Sequence, residues 1–273
     1  MGRFNLQASS IAIALGGLLT FTVMGSPGFS SPVSNTKSSA PNNLREGLPG
    51  RRISGGSRSP NPACTYHNWS DSQPVVALMP RSNQGKTLST HPDFWFSLPA
   101  VVLNKSVEFR LFDSRGTLIH QAEFIAPTTA EITSISLPES APPLQLEQNY
   151  RWTLSVVCNP DNRAEDLGVY GWVERVQLSE AVQLQLTAAS MTEQIEIYER
   201  EGLWYDALTN LAALRRNPSM QTTDQHWLSL IASINFPESI ESQIATAPIG
   251  SALMPVSAEP KALEAREQTL VTH

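Results

Sequence analysis

The side chains in this sequence whose types suit acid–base chemistry are carboxylates beside apolar neighbours. Asp93 precedes Phe94, Trp95 and Phe96, and Glu123, Glu174 and Asp206 also adjoin apolar residues. A carboxyl in a low-dielectric cleft keeps its proton, and beside a second, ionised carboxylate it can cleave a glycosidic bond. No spacing pairs any two of the four, so solvent-facing or capping roles are expected of them. The five histidines, His67, His91, His120, His226 and His273, are scattered, none stands three or four residues from another His, and His67 alone lies three from a cysteine, Cys64, with no second such pair. That spacing excludes the usual zinc site. The Gly-x-Ser-x-Gly elbow of serine hydrolases is missing. No catalytic, metal or cofactor residue is therefore assigned.

Aromatic side chains carry the stronger signal. Six of the residues are Trp, although aromatics make up only 7% of the chain. Strand alternation sends Phe94 and Phe96 to one face and Trp95 to the other, and Trp172 likewise faces outward in its own strand. An exposed Trp can stack on a sugar ring or grip a protein. Trp95, Trp172, Trp204, Tyr205 and Asp93 are the contact candidates, although Trp204, like Trp152 and Trp227, also fits an inward stripe.

The elements that must hold these residues lie downstream of a leader pattern. Arg3 is the one basic residue before an apolar run from Ile11 to Met24, too short to span a bilayer comfortably. We expect export, with cleavage after Gly25 first and after Ser30 second, an uncleaved single anchor being the alternative, and no membrane span once the signal is cleaved. Cys64 and Cys158 are the only cysteines, and an even count in an oxidising compartment predicts one disulfide. A net charge of −6 lacks the positive field that draws a chain onto nucleic acid. Residues 26–61, rich in Ser, Pro, Asn and Gly, are expected to be a flexible linker, including the glycine-rich basic stretch from Gly50 to Arg58.

From Pro74 to about Leu178 the period is two. Tyr150, Trp152, Leu154, Val156 and Cys158 alternate with polar residues. Val107, Phe109 and Leu111 do the same before the turn residues Asp113 to Gly116, which predicts a hairpin with Leu118 to Phe124. With Val75 to Met79, Asp93 to Leu98, Glu131 to Leu137 and Val169 to Val176, about seven strands predict an antiparallel β-sandwich of immunoglobulin or fibronectin type. Tyr150, after Leu146 to Asn149, occupies the place of that fold's corner tyrosine.

At Ser179 the period becomes 3.6, although Val182 to Leu186 also alternates as a strand would. Ser190 and Glu193 form a capping box, Gly202 ends that helix, and further helices follow over about 203–216 and 223–234. The fold class is thus α+β, a β-sandwich (62–178) followed by a helical region (179–237), with a disordered tail over 238–273. Gly202, Trp204, Ala207, Leu208, Leu211 and Pro218 resemble one tetratricopeptide hairpin. A single unit makes no concave repeat surface, so these apolar residues are expected to pack against the strands.

Gly50-Arg51-Arg52, Cys64, Leu78-Met79-Pro80, Pro92 to Phe96, Tyr150-Arg151-Trp152, Gly171-Trp172-Val173 and Gly202 to Leu208 together resemble the exported, largely cyanobacterial family of domain of unknown function 928. The resemblance runs from about Gly50 to Pro237. It implies a periplasmic or envelope location and a sandwich joined to a helical end, and it brings no activity with it.

Two functions fit these observations. The preferred one is a non-enzymatic envelope protein that docks a protein partner through the exposed aromatics or the helical hairpin. The alternative is an envelope glycan-binding module, more remotely a glycan hydrolase, that uses the same aromatics and Asp93.

Overall fold

The structure, a computed structural model, describes residues 47–55, 64, 74–216 and 223–256. It is α+β. Among the described residues, eight strands form two mostly antiparallel sheets, and five helices follow them. The expected leader and residues 26–46 and 56–61 of the expected linker lie outside the described residues.

The alternating segments become the central strands. In β7 (Gln148–Val156) the buried positions are Tyr150, Trp152, Leu154 and Val156. In β4 (Ser106–Phe112) they are Val107, Phe109 and Leu111. β4 pairs with β5 (Leu118–Ile125) as the predicted hairpin. Asp113 Oδ1 sets the turn by accepting the backbone N–H of Arg115 (2.9 Å) and Thr117 (2.8 Å), and Gly116 takes φ +85°, a left-handed conformation that needs glycine. β8 (Leu167–Arg175) completes the antiparallel set β8-β7-β4-β5. The Tyr150 hydroxyl accepts the N–H of Gln145 at 3.0 Å, the tie to the preceding loop expected of it.

A second sheet holds β1 (Val76–Ala77), β3 (Asp93–Leu98) and β6 (Glu131–Ser136), with β3 in the middle. Rings join the two sheets across the core. Phe94 lies 4.9 Å from Phe109 and 5.9 Å from Trp152, and Phe96 meets Trp152 edge-on at 5.5 Å.

One strand is absent from the sequence reading. β2 (Gln84–Thr87) lies at the edge of the larger sheet and pairs with β8 in parallel, so the sheets are not wholly antiparallel. Gln-Gly-Lys-Thr has no apolar alternation. Its glycine serves close packing, since a Cβ on Gly85 would stand 2.7 Å from the Tyr205 ring.

The helices are α1 (Glu180–Ala188), α2 (Met191–Glu201), α3 (Trp204–Arg215), α4 (Thr223–Ile234) and α5 (Glu238–Thr246). Ser179 caps α1, so residues 182–186 are helical and the strand alternative fails. Ser190 and Glu193 form the expected capping box, and Gly202 ends α2 at φ +70°. α3 buries Ala207, Leu208, Leu211 and Leu214, and α4 buries Trp227, Ile231 and Ile234. One hydrophobic cluster contains strand and helix residues alike, so the core does not divide at residue 178.

Parts of two segments expected to lack structure, residues 47–55 and 238–256, are ordered. In the presumed linker, Arg51 exchanges N–H···O bonds of 2.9 Å with Tyr170, and Ile53 bridges Val76. Backbone pairing at a sheet edge requires few apolar side chains, so composition misjudged this stretch. In the presumed tail, α5 buries Ile244, Ile249 bridges Ile132 of β6, and Pro255 bridges Phe124 of β5. Residues 257–273 are outside the described residues. Among the described residues, no helix is long and apolar enough to cross a membrane.

The predicted disulfide is present. Cys64 and Cys158 are bonded, with Cα atoms 5.4 Å apart.

Candidate functional site

The structure removes most of the predicted contact residues from the surface. Trp95 is 3% exposed, its indole N–H donates to the Thr209 hydroxyl at 3.0 Å, and the Arg216 guanidinium covers its ring at 5.4 Å. Alternation assigned its face correctly. That face is covered by α3, however, and period two identifies a face without saying what lies against it. Trp204 and Tyr205 are buried as well. The Trp204 indole N–H donates to the Leu78 carbonyl at 2.9 Å. Tyr205 receives the Trp152 indole N–H (2.9 Å) and donates its hydroxyl proton to the Trp172 carbonyl (3.0 Å). Burial holds that phenol well above its ordinary pKa, so it remains a donor. Trp172 stays half-exposed, with its indole N–H held by the Pro49 carbonyl at 2.8 Å.

Of the four carboxylates, two come together. Asp93 and Asp206 line one cavity of about 100 Å³, with His91 and Thr209. Glu123 and Glu174 lie elsewhere, bonded to Ser106 and Gln84 respectively. Both members of the close pair hold the fold. Asp93 accepts the Ser136 hydroxyl, and Asp206, in the first turn of α3, accepts the Leu88 N–H at 3.1 Å.

Burial pushes the Asp206 pKa up to about 6, against the lowering effect of its bonds from Leu88 and Thr87. The raised value favours the protonated form in the folded state. Its contribution to stability is thus complete below about pH 4 and is lost as pH rises through 6, by at most about 3 kcal/mol. Asp206→Asn keeps an oxygen for Leu88 and loses the titration. Urea midpoints measured from pH 4 to 7 should therefore fall for the native chain relative to the variant. Parallel curves would show that the carboxyl does not titrate in this window.

A larger cleft, of about 550 Å³, opens where the α2–α3 hairpin meets β2. Pro80, Trp204, Ala207 and Leu230 give it apolar surface. Tyr198 and Glu199, from the last turns of α2, form one wall, with Ser229 and Ser233 of α4 beside them. Ser82, Gln84 and Lys86 form the sheet side. Partial burial raises the Glu199 pKa. His226, whose Nδ1 is 3.9 Å away, lowers it and Glu196 raises it further. Burial, with Asp206 nearby, also raises the Tyr198 phenol. The hairpin wall therefore carries a carboxyl and a phenol, both biased toward their protonated forms.

A family model described as Domain of Unknown Function (DUF928) matches residues 53–249, most of the 273-residue chain. The chain belongs to this family. No curated protein matches it significantly. The two ends of the DUF928 match, Ile53 and Ile249, are both residues that bridge to a strand of the smaller sheet, so the family region includes part of each segment that composition had left unstructured.

Sequence reasoning missed Ser82, Gln84, Lys86, Tyr198, Glu199, Ser229 and Ser233 as lining residues of the DUF928 cleft. One signal was available. Ser229 and Ser233 stand four apart on α4, off the Trp227, Ile231 and Ile234 stripe, which marks a polar face beside the core. The others come from segments more than a hundred residues apart.

Proposed function

We propose that this chain is an exported, non-enzymatic protein of the cell envelope that binds a protein partner in the cleft between its helical hairpin and β2. The observation that carries this reading is the composition of the cleft. An apolar floor inside a rim of serines, a tyrosine and charged groups is the anatomy of a protein-binding patch, and the volume suits a few inserted side chains. The disulfide supports export, since such bonds persist in oxidising compartments. The site departs from the expected aromatic contacts, since Trp204 contributes to the floor while Trp95 and Tyr205 belong to the core.

The same proposal takes the two sheets as an immunoglobulin-like sandwich and α2–α3 as a tetratricopeptide-like hairpin. The Tyr150 tie to Gln145 and the left-handed Gly202 support these two likenesses. The parallel β2 is an addition to the sandwich plan.

A photo-crosslinking residue placed at Ser229 or Ser233, in cells exporting the full chain, tests the reading. One dominant protein adduct is expected from both positions, and none from Arg115 in the β4–β5 turn. Equal labelling from Arg115, or no adduct from the cleft, would refute it.

A further inference from the structure

The sheet side of the cleft is a strand edge with one open position. The β8 residue Trp172 donates its N–H to the Asn83 carbonyl, and Val176 donates to the Thr87 carbonyl. In a parallel pair, alternate residues turn their backbone groups to the neighbour, so residues 83, 85 and 87 serve β8 while Gln84 and Lys86 point theirs outward. Most of the outward groups are already occupied. The Ser82 hydroxyl donates to the Gln84 carbonyl at 3.0 Å, and Asp206 takes the Leu88 N–H at 3.1 Å. Between these two closures, the N–H and C=O of Lys86 meet no partner among the described residues, and Lys86 is exposed.

The side chains support this picture. Gly85 and Thr87 face α3, where Gly85 touches the Tyr205 ring and Thr87 bonds Asp206. The Gln84 side chain lies on the opposite face, bonded to Asn149 at 2.6 Å, and Lys86 shares that face by alternation. At residues 84 and 86 it is thus the backbone edge that borders the cleft.

The facing wall favours positive charge. Glu199 lines it, with Glu196 one turn away and His226 Nδ1 at 3.9 Å from the Glu199 carboxyl. Among the described residues, arginine stacks on four rings, Arg52 on Phe236, Arg151 on Phe112, Arg215 on Trp227 and Arg216 on Trp95. Trp204, on the cleft floor, carries no such partner among the described residues.

We infer that the cleft takes a short extended peptide segment of the partner, whose backbone pairs with the N–H and C=O of Lys86 and whose Arg or Lys side chain reaches Glu199 across the Trp204 floor. This rests on the partner reading given above. Strand addition supplies main-chain bonds, and the pocket opposite supplies selectivity. A second copy of this chain is a poor occupant, because pairing two β2 edges would oppose Lys86 to Lys86.

Selection of random twelve-residue peptides displayed on phage against the purified full chain tests the inference. Enriched sequences should contain a basic residue flanked by apolar ones. A synthetic copy should bind at least tenfold more weakly to Lys86→Pro, which removes the outward N–H and spares the β8 ladder, and at least fivefold more weakly to Glu199→Gln. Glu123→Gln should bind as the native chain does. In case Lys86→Pro perturbs folding, exchange of the Lys86 amide in the native chain gives a second measure and should slow when peptide is bound.

Enriched peptides without a basic residue, or binding indifferent to Glu199→Gln with no protection of the Lys86 amide, would overturn the inference. If no peptide is enriched while Ser233 still crosslinks to one protein, the peptide mode is wrong and the partner reading stands. If both experiments are blank, both fail.

Discussion

Replacing Cys64 and Cys158 together by alanine should lower the unfolding free energy by about 4 to 5 kcal/mol, which is of the order of the whole stability of many domains. The bond closes a separation of 94 residues, and the loss of chain entropy it imposes on the unfolded state grows with loop length. Its anchor adds to the effect. Cys158 follows the end of β7, the middle strand of the five-stranded sheet, so the link ties an early segment to the centre of that sheet. Removing both sulfurs avoids a free thiol that could exchange.

Urea unfolding of the oxidised native chain, the double variant and the reduced native chain measures this effect. The last two should coincide, with a lower midpoint and a steeper dependence on urea, because an uncrosslinked unfolded chain exposes more surface. Coincident midpoints for the oxidised chain and the double variant would mean that the bond contributes nothing to the fold. Folding without bond formation should likewise leave the chain marginal.

Local rules in the sequence accounted for what depends on neighbouring residues. Alternation placed Val107, Phe109 and Leu111 on one face of β4, Asp113 to Gly116 marked the turn, and Ser190, Glu193 and Gly202 bounded α2. Each signal operates within a few residues. Trp95 shows where such rules end. Its face was legible, and its cover, the Thr209 and Arg216 side of α3, comes from more than a hundred residues downstream. The candidate cleft has the same origin, being assembled from residues 80–86, 198–207 and 229–233.

The C-terminal misreading is of another kind, because its signal was present. Ile240 and Ile244, one helical turn apart, formed an apolar pair in an otherwise polar stretch, and both pack on the core. Small and polar composition outweighed that pair in the reading of residues 238–256. β2 offered less, since Gln-Gly-Lys-Thr becomes a strand through its neighbours β8 and α3.

Tyr205→Ala should cost about 3 to 5 kcal/mol and loosen the helices from the sheets. Tyr205 is 2% exposed, its ring meets Phe94 edge-on at 5.5 Å, and its hydroxyl joins Trp152 of β7 to the carbonyl of Trp172 in β8. Truncation leaves a cavity and strands the buried indole N–H of Trp152. Tyr205→Phe isolates the second effect and should cost about 1 to 3 kcal/mol, because the ring remains and the hydrogen bonds go. Gly85 provides an internal check. A methyl there would stand 2.7 Å from Tyr205 Cε2 and 3.2 Å from Trp204 Cβ, so Gly85→Ala alone should cost about 1 to 3 kcal/mol through overpacking. With Tyr205 already reduced to alanine, that methyl enters vacated space and its cost should largely disappear. A double-mutant cycle by urea unfolding should therefore show a coupling of at least about 1 kcal/mol between residues 85 and 205. Strict additivity would mean that α3 does not rest on β2 through this ring, and the cleft built on that contact would lose its floor.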